Sequence, residues 1–325
     1  MKDNILEITD LKMHFPKTTG IFVQKEVERV RAVDGITLNL KRGETLGIVG
    51  ESGCGKSTLG RCIIRLWKPT SGSIKLNGQE IANLEEKELE SVRPKIQMIF
   101  QDPYASLNPR MTVYDIIAEP LLTHKICTNK EKLDQTVSEL MEMVGLSPRF
   151  LKKYPHEFSG GQRQRIAIAR AIAIKPDIIV CDEPVSALDV SIQAQVINLL
   201  IKLKKELNLT LLFIAHDLSV VRHISDRVAV MYLGKLCEVA DVDELFEGPK
   251  HPYTQALLSA VPIPDPKKEA LRTRITLSGD LPSPLAPPPG CSFHTRCPVA
   301  SEHCKQGAPK CSEFSKSHLV YCNNT

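Results

Sequence analysis

The apolar run Thr45–Val49 leads directly into a glycine-rich segment, GESGCGKST (Gly50–Thr58), and then into helical periodicity over Lys56–Leu66. Strand, glycine loop and helix in that order form the local context of a phosphate-binding loop. The short apolar run predicts a parallel strand buried on both faces. Gly50, Gly53 and Gly55 let successive backbone N–H groups turn inward onto phosphate oxygens, and the helix N-terminus adds a favourable dipole. Within the segment, Lys56 is placed to reach the β- and γ-phosphates and Ser57 to ligate magnesium, while Ser52, Cys54 and Thr58 complete the cradle. Cys54 reads as a small residue with room to spare. A sharper reading makes it a redox switch, because oxidation there crowds the phosphates.

The rest of the chain agrees with this start. Ile5–Thr9, Ile36–Leu40, Ile96–Phe100, Asp177–Cys181 and Leu209–Ala215 read as strands. Between Thr112 and about Tyr154 the pattern is helical, with Leu133, Val137, Leu140, Met141 and Val144 on one face. Ser159 precedes a helix through Ala173, and Ser191–Leu207 is amphipathic. Alternating strands and helices predict an α/β fold around a mostly parallel sheet, with residues 102–160 as an inserted helical subdomain. The first domain closes near residue 247. From Val261 to Gly290 the chain is proline-rich, an extended linker or irregular wrap inside a second segment, 248–325.

Two further motifs carry chemistry. Asp182 ends the apolar strand IIVC, which brings its carboxylate to the strand's C-terminal end as a second magnesium contact. Glu183 follows, and a carboxylate there can polarise an attacking water. Ser159-Gly160-Gly161-Gln162 reads as a capped helix start with bare amides, which is an anion site in its own right.

In this order the three motifs resemble the ATPases of ABC transporters, that is, a P-loop NTPase fold. Ser159, Gly160, Gly161 and Gln162 match the signature loop, with Phe158 where leucine is usual. The resemblance implies that Gln101 is the Q-loop glutamine, touching magnesium and water, and that Ser186–Asp189 is the D-loop. It likewise implies that His216 is the switch histidine at the γ-phosphate. Phe15 matches the aromatic that stacks on adenine, although an insertion near Lys17–Arg31 blurs that alignment. Two such domains pair head to tail and sandwich ATP, so the chain is expected to need a second ATPase subunit, in a heterodimer.

The chain's net charge of +4 is small for 325 residues, and Lys and Arg are scattered, which gives no basis for nucleic-acid binding. MKDNILEITDL lacks the pattern of a signal peptide. The longest apolar stretches, such as Leu211–Ala215, fall far short of the roughly 20 residues of a membrane span. A cytosolic protein, or one held at a membrane through a partner, is expected.

Of ten cysteines, five crowd into the tail: Cys291, Cys297, Cys304, Cys311 and Cys322. The cytosol disfavours disulfides. The spacing lacks CxxC knuckles and the tight ferredoxin run. Four thiolates on an irregular loop can hold zinc or an iron–sulfur cluster, or remain inert thiols.

His251-Pro252-Tyr253-Thr254, the proline-rich linker and Gly290–Pro298 together resemble the C-terminal extension of dipeptide and oligopeptide transporter ATPases. PYASLNPRMTV after Gln101 is similar to the same group. That resemblance implies a [4Fe–4S] cluster on Cys291, Cys297, Cys304 and Cys311, with Cys322 free, acting as a staple for a tail that buries little core. It further implies two transmembrane permease subunits, an extracytoplasmic peptide-binding protein, and residence on the cytoplasmic face of the cell membrane. Nickel or another small solute is the alternative cargo, and a soluble ABC ATPase outside transport is a more distant alternative.

Overall fold

The structure is a computed structural model that describes residues 3–19, 25–262 and 274–324. Residues 263–273 of the proline-rich stretch and 20–24 of the expected insertion lie outside the described residues. The chain divides into two compact units: Met1–Leu40, Thr45–Asn83 and Ala215–Thr325 form the first, Lys41–Glu44 and Leu84–Ile214 the second.

The first unit opens with two strands far longer than the alternation suggested, β1 (Asn4–Thr19) and β2 (Lys25–Lys41). With β4 (Ser71–Leu76) and β5 (Gln79–Glu80) they form a sheet of order β2-β1-β4-β5. Ile8 faces Ile74 in the antiparallel β1–β4 pair, and the register shifts between Thr9 and Lys12. Asp10 sits in that shift at φ +44°. The bulge breaks strict alternation, which is why periodicity ended the strand at Thr9.

A second sheet of this unit runs β11-β12-β10-β9-β3. Its β3 (Thr45–Val49) is buried throughout and pairs in parallel with β9 (Arg227–Tyr232). The antiparallel strand β10 (Lys235–Asp241) follows, and the tail hairpin β11 (Cys311–Ser315) and β12 (His318–Tyr321) continues from it. The tail is therefore woven into the same sheet as the strand that launches the P-loop.

The second unit is built on the parallel strands β6 (Ile96–Ile99), β7 (Ile178–Asp182) and β8 (Thr210–Ile214). Helices Val113–Thr123 and Lys130–Met143 lie between β6 and the signature helix Gly160–Ile172 in the chain. Thr112 and Asp115 cap the first of them reciprocally, through side chain and backbone in both directions. Leu133, Val137, Leu140, Met141 and Val144 are all buried, as their spacing predicted.

Candidate active site

Steric demands explain the glycines of the phosphate loop. Gly50 has φ +151°, and a Cβ there would lie 2.1 Å from the Met231 carbonyl oxygen. Gly55 has φ +103°, and its Cβ would meet the Ala32 carbonyl oxygen at 1.9 Å. No other residue fits either position without moving backbone. The helix Lys56–Ile63 starts directly after Gly55 with no side-chain cap. Lys56 is buried, and its ammonium donates to the carbonyls of Gly50 (2.8 Å) and Glu51 (3.0 Å). Ser57 and Thr58 are half-buried, while Ser52 and Gly53 are exposed at the loop's crest.

Cys54 does not have room to spare. It is 1% exposed, its sulfur lies 3.7 Å from the Lys56 ammonium, and burial pushes its thiol pKa up. Gly50 leaves space for that side chain, since a Cβ there would stand 2.8 Å from the Cys54 sulfur. A buried thiol held protonated is a poor target for oxidation, which counts against the redox reading.

His216 is exposed, after Ala215 and before the helix Leu218–Ile224, which Asp217 caps. Phe15 is half-buried, edge-on to Trp67 with ring centroids 5.1 Å apart, and Arg61 lies over the Trp67 ring at 4.9 Å. All of these belong to the first unit.

In the second unit, Asp182 is completely buried at the end of β7. Glu183 leaves the strand at φ +46°, in the left-handed region, while its N–H still donates to Ile214 at 3.0 Å. Successive residues of a regular strand point to opposite faces, and the left-handed φ of Glu183 ends that alternation directly after Asp182. Gln101 donates from Nε2 to Glu183 Oε2 at 3.0 Å, joining two predicted site residues from separate strands. The Ser186 hydroxyl donates to the Glu183 carbonyl, and Gln193 holds the carbonyls of Val185 and Leu188. Asp189 is exposed and starts the helix Val190–Leu207 without a side-chain cap.

Ser159 and Gln162 form a reciprocal capping box, so the Ser159 hydroxyl is engaged by the Gln162 amide at 3.4 Å. Gly160 and Gly161 form the first turn of the helix rather than preceding it. A Cβ on Gly161 would stand 2.4 Å from Ile192 Cγ2, so the small residue also lets the signature helix seat against the helix after the D-loop. Phe158 is buried, edge-on to Phe150. Sequence reasoning passed over the arginines that follow. Arg163 binds the carbonyls of Pro155 and His156 and stacks on Tyr104, and Arg165 binds the Val144 carbonyl and Gln195.

The tail differs from expectation in two ways. First, it shares a core. Phe293 packs against Tyr232 (5.2 Å), Tyr253 (5.3 Å) and His251 (5.7 Å), all buried. Second, the thiols of Cys291, Cys297, Cys304 and Cys322 neighbour one another, with Cys237 beside Cys291 and Cys322. Burial raises the Cys291 pKa, the Phe293 amide opposes this, and the thiols of Cys304, Cys322 and Cys297 raise it further. Cys297 is raised by burial, lowered by the Val299 amide, and raised by Cys322 and Cys304. Cys311 is exposed and stands opposite Tyr321 in the hairpin, so it is not one of this group. A ladder position, invisible in the cysteine spacing, leaves Cys311 exposed and Cys322 buried. Among the described residues, no three His, Cys, Asp or Glu side chains are arranged to hold a metal ion.

The sequence family described as "ABC transporter" matches residues 33–186, and that described as "Oligopeptide/dipeptide transporter, C-terminal region" matches residues 237–304. The oligopeptide transport ATP-binding protein AppF of Bacillus subtilis (strain 168) is 59% identical over 323 residues, 99% of this chain and 98% of AppF. The chain belongs to the family of oligopeptide transport ATP-binding proteins. OppF of Escherichia coli (strain K12), in the same family, is 55% identical over 98% of this chain and 95% of its own length. Among solved structures, a dimeric post-hydrolysis state of the ATP-binding cassette MJ0796 bound to ADP and Pi matches with a TM-score of 0.65 at 31% identity, over 73% of this chain and 98% of that one. The chain is thus an ABC-type ATPase with the P-loop NTPase fold. Among the described residues, no helix is long and apolar enough to cross a membrane.

Proposed function

We propose that this chain hydrolyses ATP to power import of dipeptides and oligopeptides, as a peripheral subunit on the cytoplasmic face of the cell membrane. The observation that carries the reading is near-full-length similarity to AppF together with the peptide-transporter type of C-terminal region over 237–304. Its partners are two transmembrane permease subunits, a second ATPase subunit in a heterodimer and, indirectly, an extracytoplasmic peptide-binding protein.

The loop amides and Lys56 hold the phosphates, with Lys56 exchanging its bonds to the Gly50 and Glu51 carbonyls for phosphate oxygens. Ser57, Asp182 and Gln101 supply hard oxygen ligands, which suit magnesium. When bound, that ion neutralises charge on the β- and γ-oxygens. Glu183 is the base for the attacking water, and the Gln101 amide orients its carboxylate. His216 contacts the γ-phosphate, Phe15 the adenine, and Asp189 the partner across the D-loop. The Ser159-capped helix start serves the nucleotide on the partner's P-loop.

The tail thiols suit a soft metal centre in kind. We assign Cys291, Cys297, Cys304 and Cys322 as the ligands of a [4Fe–4S] cluster or zinc, with a structural role and no part in hydrolysis.

Replacing Glu183 by Gln tests the catalytic assignment. The variant, assembled with its membrane partners, is expected to bind ATP, to turn over at under about a hundredth of the wild-type rate, and to stop peptide uptake. Loss of ATP binding would show the residue misassigned.

A further inference from the structure

Glu51, the first variable residue of the phosphate loop, is gripped by the C-terminal segment. The Arg296 guanidinium makes a two-pronged pair with its carboxylate, Nη1 to Oε2 at 2.8 Å and Nη2 to Oε1 at 3.1 Å. The Glu51 N–H donates to the Tyr253 hydroxyl at 2.9 Å. The Glu51 carbonyl accepts from the Lys56 ammonium at 3.0 Å. Carboxylate, amide and carbonyl of one loop residue are each engaged, two of them by residues some two hundred positions away in the chain.

The grip is rigid. The Arg296 side chain is only 10% exposed. The guanidinium also lies near the Tyr232 hydroxyl at 3.5 Å, and Tyr232 and Tyr253 pack on Phe293. Two-pronged carboxylate pairs of this type are strong and geometrically specific. Arg296 adjoins Cys297, and Tyr253 belongs to the His-Pro-Tyr-Thr motif, so both distinguishing motifs of the extension end on the same loop residue.

We propose that the C-terminal segment preorganises the phosphate loop, with Arg296 and Tyr253 as positioning residues that act on ATP binding through Glu51. This rests on the reading of the loop as the ATP site. A loop already held in its binding shape loses less freedom when nucleotide arrives. Removing the grip weakens ATP binding while leaving the hydrolytic groups in place.

The test uses the full chain for binding of mant-ATP and the assembled transporter for steady-state hydrolysis. Arg296→Met and Glu51→Gln are each expected to weaken mant-ATP binding about tenfold, as loss of a charged hydrogen-bonded pair does. The double variant is expected to be no worse than either single one. Tyr253→Phe, which keeps the aromatic packing, is expected to weaken binding a few-fold. For Arg296→Met and Tyr253→Phe, KM for ATP rises accordingly, and kcat at saturating ATP stays within about twofold, the split that distinguishes a binding effect from a general loss of structure. Variants that bind as tightly as wild type, additive losses in the double variant, or a fall in kcat with KM unchanged would each overturn the proposal alone. Wild-type protein that bound no mant-ATP would overturn the ATP reading and the proposal with it.

Discussion

Acid should loosen the packing of the tail within the first unit through one histidine, His251. It is 2% exposed, and its Nδ1 accepts the Tyr253 N–H at 3.0 Å as the N-cap of helix Pro252–Ser259. Burial lowers its pKa from 6.5 to about 4, against an opposing pull from the Glu238 carboxylate. Glu238 itself is fully buried and committed to the N–H groups of Lys250 and His251 and to His318. Protonating His251 both buries a charge and removes the cap's acceptor. Because the folded pKa is the lower one, the unfolded chain binds more protons between pH 6.5 and about 4, and stability falls as pH drops through that window. At about 1.4 kcal/mol per unit the full loss is about 3 kcal/mol, of which about 2 kcal/mol is gone on moving from about pH 7 to about pH 5. His251→Asn keeps a capping oxygen and does not titrate. Urea unfolding of both proteins at the two pH values should show wild type losing about 2 kcal/mol more than the variant. Equal losses, or a His251 imidazole resonance titrating near its ordinary value, would refute the reasoning.

Two further outcomes are accessible. Gly161→Ala should cost about 1–3 kcal/mol by overpacking against Ile192, and Ile192→Ala in the same chain should restore most of it; a wild-type urea midpoint for the single variant would count against the contact. Protein purified without oxygen should carry iron with matching acid-labile sulfide, or zinc, lost in Cys322→Ser and retained in Cys311→Ser; the reverse pattern would return the ligand role to Cys311.

Much of the site was legible in the sequence because phosphate chemistry demands a contiguous loop. A chain turning its amides onto an anion needs glycines at fixed offsets, with a strand before and a helix after. Gly50, Gly55 and Lys56 therefore identify themselves without any tertiary knowledge. Asp182 and Glu183 are readable for a similar reason, since an apolar strand must end where its acids begin. The positive φ at Glu183 is not readable, because nothing local announces a left-handed glutamate. Strands β9 to β12 went unread, since antiparallel hairpins late in the chain carry weak alternation and their partners are remote.

Cysteine positions show the limit most clearly. Spacing leaves the ligands open, and the set Cys291, Cys297, Cys304 and Cys311 is what the family resemblance implies. The hairpin β11–β12 turns Cys311 outward opposite Tyr321 and returns the chain so that Cys322 is buried near the others. Likewise Glu51 is an unremarkable letter in the phosphate loop until folding sets Arg296 and Tyr253 upon it. Local motifs, whose chemistry is satisfied within a dozen residues, were determined by the sequence alone. Pairings across hundreds of residues were decided only by the tertiary structure, because the ladder registers and shared aromatic core that create them have no local signature.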